Sequence, residues 1–447
     1  MRKSMTGLRI AGAIALVLGL FWAVAPAAAA TKVVRVVSPG GIEAWLVEEH
    51  AIPILSLSIA FRGGASLEAV GKGGLANMVS GLLDEGAGDI DSQAFQAQLE
   101  DLSIHLGFDA GLDSFSGNLK TLSARTDTAF EMLRLALTAP RFDAEPVERI
   151  RRQIQVSLVR RATDPDHIVR RTWFDAAFPD HPYGRPVEGT AESVAAITAD
   201  DLRAFVRAQI ARDRMVIGVV GDITPERLAA LLDSTFGALP ETGAPLDVLA
   251  TEPAAPGSLT VVERDFPQSV VVFGHKGIAR DDPDYYVAYA LNHILGSGGF
   301  TSRLTREVRE KRGLAYGVYS YLAPLDHAPL FMGRVATANA RVAESIDIIR
   351  TEIARLRDDG VTAEELADTK TYLTGSFPLR LDTNDKIAGL LVGIQLEDLG
   401  IDYLDRRNDY IEAITLDDVN RVAKTLFRPD ELEVVVVGKP EGLPATN

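Results

Sequence analysis

The amino-acid sequence predicts an α+β fold of two homologous domains, each a mostly antiparallel sheet with helices packed on one face. The first observation is a repeat, because residues 197–202 (ITADDL) recur as residues 414–419 (ITLDDV). The tripeptide VVG at 219–221 recurs at 436–438, again 217 residues later. Strand-like segments also come in adjacent pairs, and helix-like segments come in runs. This grouping is typical of α+β proteins and disfavours a doubly wound parallel sheet.

Paired strand-like segments occur in both halves of the chain. Residues 103–109 are followed by residues 115–121, and residues 315–323 are followed by residues 330–336. A short connection joins the members of each pair, so the sequence predicts antiparallel pairing. Matching buried strands are expected upstream of these pairs, where short apolar runs occur at residues 57–61 and 270–273.

Each copy of the repeat predicts an N-capped helix followed by an apolar strand that ends in glycine. Thr198 and Thr415 stand at the N-cap positions. A hydroxyl there accepts a hydrogen bond from a backbone N–H of the first helical turn. The agreement between the two copies indicates a duplication, and duplicated domains tend to form a ligand-binding cleft between them.

Length and composition set the domain organisation. The chain has 447 residues, which suits two or three domains. A segment rich in proline and glycine lies between the repeats and has the composition of a linker. We therefore expect an N-terminal domain at residues 31–240, a linker at 241–257 and a C-terminal domain at 258–447.

The charge balance and the absence of cysteine exclude several functions. There are 62 acidic and 46 basic side chains, a formal net charge of -16. Non-specific nucleic-acid binding depends on Lys and Arg neutralising phosphates, so it is not expected here. Because the chain has no cysteine, it has no disulfide, no thiolate metal site and no cysteine nucleophile.

Residues 1–30 have the pattern of a secretory signal peptide. Arg2, Lys3 and Arg9 precede an apolar run at residues 10–24, which ends in the small residues 27–30. The alternative is a membrane anchor, but the run is shorter than the roughly 20 residues that a spanning helix needs. No later stretch has the character of a span, so the mature chain is expected to lack one.

Common catalytic motifs are absent from the sequence. No two of the seven histidines lie three or four residues apart, which excludes a zinc-binding pair on one helix. There is no Gly-x-Ser-x-Gly segment, and the glycine-rich residues 71–74 and 296–299 lack the Lys-Ser/Thr ending of a phosphate loop. These glycines are predicted to form tight turns.

Seven arginines between residues 149 and 171 form a basic stripe in this acidic protein. One interpretation is a set of exposed helical faces on which the arginines pair with Glu145, Glu148 and Asp164. The other is a positive wall that faces an acidic peptide or a partner subunit. The arginines are Arg149, Arg151, Arg152, Arg160, Arg161, Arg170 and Arg171.

Four motifs resemble the insulinase/pitrilysin family of zinc metallopeptidases, which includes mitochondrial processing peptidase. They are residues 299–304 (GFTSRL), 308–316 (VREKRGLAY), 181–190 (HPYGRPVEGT) and 220–223 (VGDI). The resemblance covers nearly the whole mature chain and implies the duplicated α+β fold described above.

The zinc motif of that family, His-x-x-Glu-His, is degenerate in this chain. Its usual lead-in is present as residues 73–76 (GGLA), but Asn77, Ser80 and Gly81 stand where the first histidine, the glutamate base and the second histidine would be. The third ligand, a glutamate further along the chain, would fall near residues 157–158, a serine and a leucine. The resemblance therefore implies no metal in this chain and no activity of the isolated chain.

The other half of the family's active site, which does not bind zinc, is retained in this chain. The resemblance implies that Arg309 and Tyr316, seven positions apart, contact substrate near the scissile bond. Gly313 is expected to stop a helix, which places Arg309 in its last turns and Tyr316 at the start of the next strand. The alternative is an arginine that satisfies the helix dipole and a tyrosine packed in a strand.

These observations predict the metal-free subunit of a heterodimeric, periplasmic zinc metallopeptidase. A homologous partner that retains His-x-x-Glu-His would carry the zinc, and this chain would bind peptide substrates. Extracellular release is the less favoured location. The alternatives are a catalytically inactive scaffold or peptide-binding protein of the same fold, and a homodimer that has no separate partner.

Overall fold

The computed structural model describes residues 32–443, so the predicted signal peptide at residues 1–30 lies outside the described residues. Two mixed, mostly antiparallel sheets with helices make up this part of the chain, as the sequence predicts. None of the helices within residues 32–443 has both the length and the apolar character needed to cross a bilayer.

The first sheet has six strands, in the order β1-β2-β6-β3-β5-β4. Neighbours pair antiparallel except for β2 and β6, which are parallel. The strands are β1 (Val34–Val37), β2 (Glu43–Glu48), β3 (Ile54–Arg62), β4 (His105–Ala110), β5 (Ser114–Leu122) and β6 (Met215–Gly221).

The second sheet has five strands, in the order β7-β11-β8-β10-β9. It repeats the arrangement of five strands of the first sheet, β2-β6-β3-β5-β4, because β7 and β11 are parallel and the other neighbours are antiparallel. The strand pairs predicted from the sequence are confirmed as β4 with β5 and β9 with β10. The strands are β7 (Leu259–Glu263), β8 (Gln268–Lys276), β9 (Ala315–Pro324), β10 (Pro329–Ala338) and β11 (Glu433–Gly438).

The α-helices fall in runs between the strand pairs. Those of the first half are α1 (Leu75–Ser80), α2 (Ser92–Asp101), α3 (Thr126–Thr138), α4 (Ala144–Arg161), α5 (Pro165–Ala177), α6 (Ala191–Ala195), α7 (Ala199–Gln209) and α8 (Pro225–Phe236). Those of the second half are α9 (Tyr285–Asn292), α10 (Val342–Asp358), α11 (Ala363–Gly375), α12 (Asn384–Leu396), α13 (Tyr403–Glu412) and α14 (Leu416–Leu426).

The repeated segment forms the same N-terminal helix cap twice. The Thr198 hydroxyl accepts from the backbone N–H of Asp201, whose carboxylate accepts from the backbone N–H of Thr198. Thr415 and Asp418 make the same reciprocal pair at α14. Two backbone donors at each helix start are thereby satisfied. The predicted capped helices are confirmed, and each leads to an apolar strand that ends in glycine.

Each sheet is also covered on its other face by one helix from the opposite half of the chain. α5 packs on β8 and β11 of the second sheet, and α12 packs on β3 and β6 of the first. The fully buried Trp173 of α5 donates from its indole N–H to the carbonyl oxygen of Glu433, 3.2 Å away. Gly218 of β6 allows close approach of α12, because a Cβ there would lie 2.5 Å from the Ala388 oxygen. The two halves are therefore interlocked.

Candidate functional site

The segment that carries Arg309 has unusually wide helical turns. His293–Ser297 and Thr305–Glu310 are π-helical, and a short 3-10 turn at Gly299–Thr301 lies between them. π-helical turns are rare and occur frequently at functional sites. Gly313 has a φ of 60°, which ends the helical segment before β9 begins. Arg309 thus lies in the last turn of a helix and Tyr316 at the start of a strand, as predicted, although the helix is π rather than α.

The structure brings Arg309 and Tyr316 together. The Arg309 guanidinium carbon lies 4.8 Å from the centroid of the Tyr316 ring, and 4.7 Å from that of the Phe300 ring. Tyr316 is 87% exposed and Phe300 is 66% exposed, whereas Arg309 is half-buried. The two rings attract the cation through their π faces. Sequence reasoning missed Phe300, because its only signal is its place in the GFTSRL motif.

The neighbouring side chains of Glu307, Lys311 and Arg312 form ion pairs, whereas the Arg309 side chain forms none among the described residues. Glu307 accepts from Lys311 at 2.6 Å and from Arg312 at 2.7 Å, and these hydrogen bonds lower the pKa of Glu307. Within residues 32–443, the Arg309 guanidinium has no carboxylate partner and no hydrogen-bond acceptor, so its N–H groups are available to a ligand. Arg303 instead pairs with Glu365 at 2.7 Å.

Buried polar contacts fix the backbone behind these side chains. The Ser320 hydroxyl on β9 donates to the Asn292 side-chain oxygen at 2.7 Å, which connects the strand to the end of α9. The Thr337 hydroxyl on β10 donates to the Leu314 carbonyl oxygen at 2.5 Å, next to the turn that precedes Tyr316. Both contacts are buried, so they hold the turn and the strand in a defined relation.

The degenerate zinc motif forms a short helix without metal-binding side chains. α1 begins after Gly74, which has a φ of 90°, and contains Asn77 and Ser80. The Ser80 hydroxyl donates to the Asn77 carbonyl oxygen at 2.9 Å and so serves the helix itself. Gly81 faces α4, because a Cβ there would lie 3.4 Å from Cγ2 of Ile150.

The donor set at this position does not fit zinc. An amide, a hydroxyl and a glycine replace the imidazoles and the carboxylate that zinc prefers. Ser157 on α4 accepts from the Nε of Arg161 at 3.3 Å, and Leu158 beside it has no donor atom. Across residues 32–443, no three His, Cys, Asp or Glu side chains cluster closely enough to hold a metal ion.

The buried carboxylate of Glu68, close to α1, is used in hydrogen bonds to the backbone. Glu68 accepts from the N–H groups of Gly74 at 3.0 Å and Ala76 at 2.7 Å, at the start of α1. Burial raises the pKa of Glu68 to about 7, against the opposing effect of these N–H donors. Its oxygens therefore satisfy the helix terminus.

The basic stripe divides into paired and unpaired arginines. Arg152, Arg160 and Arg170 are exposed, with no carboxylate partner among the described residues. The remaining four belong to ion pairs, of which only one has the predicted partner as its nearest carboxylate. The pairs are Arg149 with Glu85 at 2.6 Å, Arg151 with Glu148 at 3.1 Å, Arg161 with Glu188, and Arg171 with Asp175.

Comparison with known proteins shows that most of the chain is similar to peptidase M16-type proteins. Residues 196–373 match the family model described as the Peptidase M16 inactive domain. The chain is 26% identical over 391 residues to the non-peptidase homolog YmxG of Helicobacter pylori, covering 87% of this chain and 90% of the relative.

Two further similarities extend over most of the chain. The probable mitochondrial-processing peptidase subunit beta of Schizosaccharomyces pombe is 26% identical over 398 residues, 85% of each chain. The crystal structure of a peptidase M16 inactive domain from Pseudomonas fluorescens matches with a TM-score of 0.86 and 28% identity, covering 93% of this chain and 99% of that one.

Proposed function

Because this chain belongs to the M16 peptidase family, we propose that it is the metal-free, substrate-binding subunit of a heterodimeric peptidase. A homologous partner that retains His-x-x-Glu-His would hold zinc and so provide the activated water for hydrolysis. The signal-peptide pattern of residues 1–30 supports a periplasmic location. Substrates would be peptides or unfolded segments that can lie along the site in extended form.

One observation carries the proposal. An arginine without an ion-pair partner among the described residues lies next to a tyrosine that is 87% exposed, while the positions of the zinc motif have no zinc donors. A buried or paired arginine would be explained by structure alone. Arg309 and Tyr316 instead present polar groups to solvent, at the positions where the family resemblance implies contact with substrate.

The chemistry of the two side chains suits a peptide carbonyl that becomes negatively charged. A guanidinium donates through N–H groups in its own plane, and a phenol donates through its O–H. Neither ring contact of Arg309 supplies a hydrogen-bond acceptor of the carbonyl or carboxylate kind, so a peptide carbonyl would meet no such competitor for these N–H groups among the described residues. Both donors would stabilise the developing oxyanion more strongly than the neutral carbonyl, which lowers the barrier.

The test is Tyr316→Phe in the complex reconstituted with its partner. This variant removes one O–H donor and keeps the ring against Arg309. We expect kcat to fall about a hundredfold, the usual loss when one oxyanion donor is removed. The amount of complex and the partner's zinc content should stay unchanged.

Tyr319→Phe is the matched control, because Tyr319 is a second exposed tyrosine on β9. It should leave kcat within about twofold of the parent. Two results would refute the proposal: peptide hydrolysis by the isolated chain without zinc, or an undiminished kcat in Tyr316→Phe.

A scaffold or peptide-binding role is the second candidate. It is favoured by the similarity to the Helicobacter pylori relative, which is a non-peptidase homolog. In that case Tyr316→Phe would change neither turnover nor assembly of the complex that contains this chain. Recovery of this chain alone by size analysis and pull-down would instead support a homodimer without a separate partner.

A further inference from the structure

Phe300 is a large apolar side chain that the structure leaves two-thirds exposed. Aromatic side chains of this size ordinarily bury a large area in the core or in an interface. Here the centroid of the Phe300 ring lies 4.7 Å from the guanidinium carbon of Arg309. Arg309 is the side chain for which we propose a contact with substrate. An aromatic face at this distance attracts a cation electrostatically.

We propose that Phe300 is a positioning residue that holds the Arg309 guanidinium in the orientation that meets the substrate. The proposal rests on the proposed function, since it assigns Arg309 a peptide carbonyl as its acceptor. Within residues 32–443 the Arg309 guanidinium has no polar partner, so no hydrogen bond or ion pair restricts the rotamers of this side chain. A long side chain that must be ordered during the reaction loses entropy at that step, and a pre-ordered one does not.

Phe300 has a role that Tyr316 cannot fill alone. The Tyr316 ring also contacts the Arg309 guanidinium, but its O–H is assigned to the substrate and must follow the reacting carbonyl. Phe300 has no polar side-chain atom, so its only contribution here is the ring face. It can therefore fix the guanidinium before substrate arrives and throughout the reaction.

The conformation of the loop that carries Phe300 is fixed by hydrogen bonds within the loop. The Thr301 hydroxyl donates to the Gly298 oxygen at 2.9 Å, and the Ser302 hydroxyl donates to the Gly299 oxygen at 2.9 Å. Gly299 has a φ of 60°, a conformation that suits glycine. These local bonds determine the direction in which the Phe300 side chain leaves the backbone.

The same loop is anchored to the helices behind it. A Cβ on Gly298 would lie 3.1 Å from Nε2 of His293, so the loop backbone lies close against this buried ring. His293 in turn stacks on Tyr372 of α11, with ring centroids 4.8 Å apart. The loop therefore has contacts on its inner side, while Phe300 projects from its outer side toward Arg309.

The first test measures the order of the Arg309 side chain in the full chain without a partner. The heteronuclear NOE of the Arg309 Nε–Hε group, assigned with Arg309→Lys, reports its motion. We expect this NOE to fall in Phe300→Leu and to recover in Phe300→Trp, which restores an aromatic face. Leu379→Ala is the control, because Leu379 is an exposed apolar side chain on another turn. An unchanged NOE in Phe300→Leu would overturn the proposal.

The second test uses the reconstituted complex. We expect Phe300→Leu to lower kcat about threefold to tenfold with KM nearly unchanged, and Phe300→Trp to restore it. A loss that Phe300→Trp does not restore would contradict a positioning role. The two proposals fail separately. If Tyr316→Phe is harmless, the proposed function falls while the NOE still decides whether Phe300 orders Arg309.

Discussion

Glu433 is a buried carboxyl group whose ionisation should oppose folding. It begins β11, and Val435 and Val437 on the same strand face pack with Trp173 of α5. Its side chain is fully buried, and neither carboxyl oxygen has a hydrogen-bond partner among the described residues. Burial therefore raises the pKa of Glu433 to about 7. We predict that Glu433→Gln stabilises the protein at alkaline pH and not at acidic pH.

The direction of this pH dependence follows from the protonation states of Glu433 in the folded and unfolded chains. The folded chain favours the neutral carboxylic acid, whereas the unfolded chain ionises near the ordinary pKa of 4.5. The stability that the neutral group allows is complete below pH 4.5 and is lost as the pH rises through 7. At 1.36 kcal/mol per pKa unit, the full loss is about 3 kcal/mol, most of it between pH 5 and pH 8. The glutamine side chain of the variant has nearly the shape of the neutral acid and does not ionise.

The assay is urea unfolding at pH 5 and pH 8, followed by tryptophan fluorescence and far-ultraviolet circular dichroism. We expect the variant to be more stable than the parent by less than about 1 kcal/mol at pH 5 and by about 3 kcal/mol at pH 8. The quantity to compare is the difference in the free energy of unfolding between Glu433→Gln and the parent at each pH. Absolute values would mix two effects, because burial also raises the pKa of Glu68 to about 7. Glu68 titrates equally in both.

Glu263→Gln is the matched control, since Glu263 is exposed on the neighbouring strand β7. It should change stability by less than about 0.5 kcal/mol at either pH. The reasoning would be refuted by a difference between Glu433→Gln and the parent that is the same at pH 5 and pH 8. That result would mean that Glu433 has the same pKa in the folded and unfolded chains.

Two further predictions concern packing and helix capping. Trp173→Ala removes a fully buried indole between α5 and the second sheet, together with its hydrogen bond to Glu433, and should lower the free energy of unfolding by about 3–5 kcal/mol. A loss below about 1 kcal/mol in urea unfolding would contradict this packing. Thr415→Ala removes the hydroxyl that caps α14 and should lower the free energy of unfolding by about 1 kcal/mol. Lys424→Ala, on the exposed side of the same helix, is the control and should cause no comparable loss. Equal effects of these two changes would rule out the cap as the cause.

Local features of this protein were predictable because their causes are local. Thr198 and Thr415 each stand three residues before an aspartate, and such a pair closes its hydrogen bonds within one helical turn. The hairpin of β9 and β10 followed from two apolar segments separated by a short connection. The positions of Arg309 at a helix end and Tyr316 at a strand start were likewise predictable, because Gly313 lies between them.

Contacts between distant segments could not be inferred in the same way. The sequence offered Glu145, Glu148 and Asp164 as partners of the arginine stripe, whereas the shortest ion pair of Arg149 is with Glu85 at 2.6 Å, and Glu145 lies farther away at 3.5 Å. Phe300 carried no signal that its ring would contact Arg309 rather than enter the core. Apolar and charged side chains are not specific for one partner, so the partner is set by which segments the fold brings together.

The amino-acid sequence by itself determined the duplication, the strand pairs, the helix caps and the loss of zinc donors at residues 77–81, since each is written in residue types at short or repeated spacing. Only the tertiary structure decided that α5 and α12 each cover the sheet of the opposite half, that Glu433 is buried with no hydrogen-bond partner for its carboxyl group among the described residues, and that Arg309 lies against Phe300. The physical reason is that burial and non-local contact depend on how whole surfaces fit, whereas hydrogen bonds within a turn depend on neighbours in the chain.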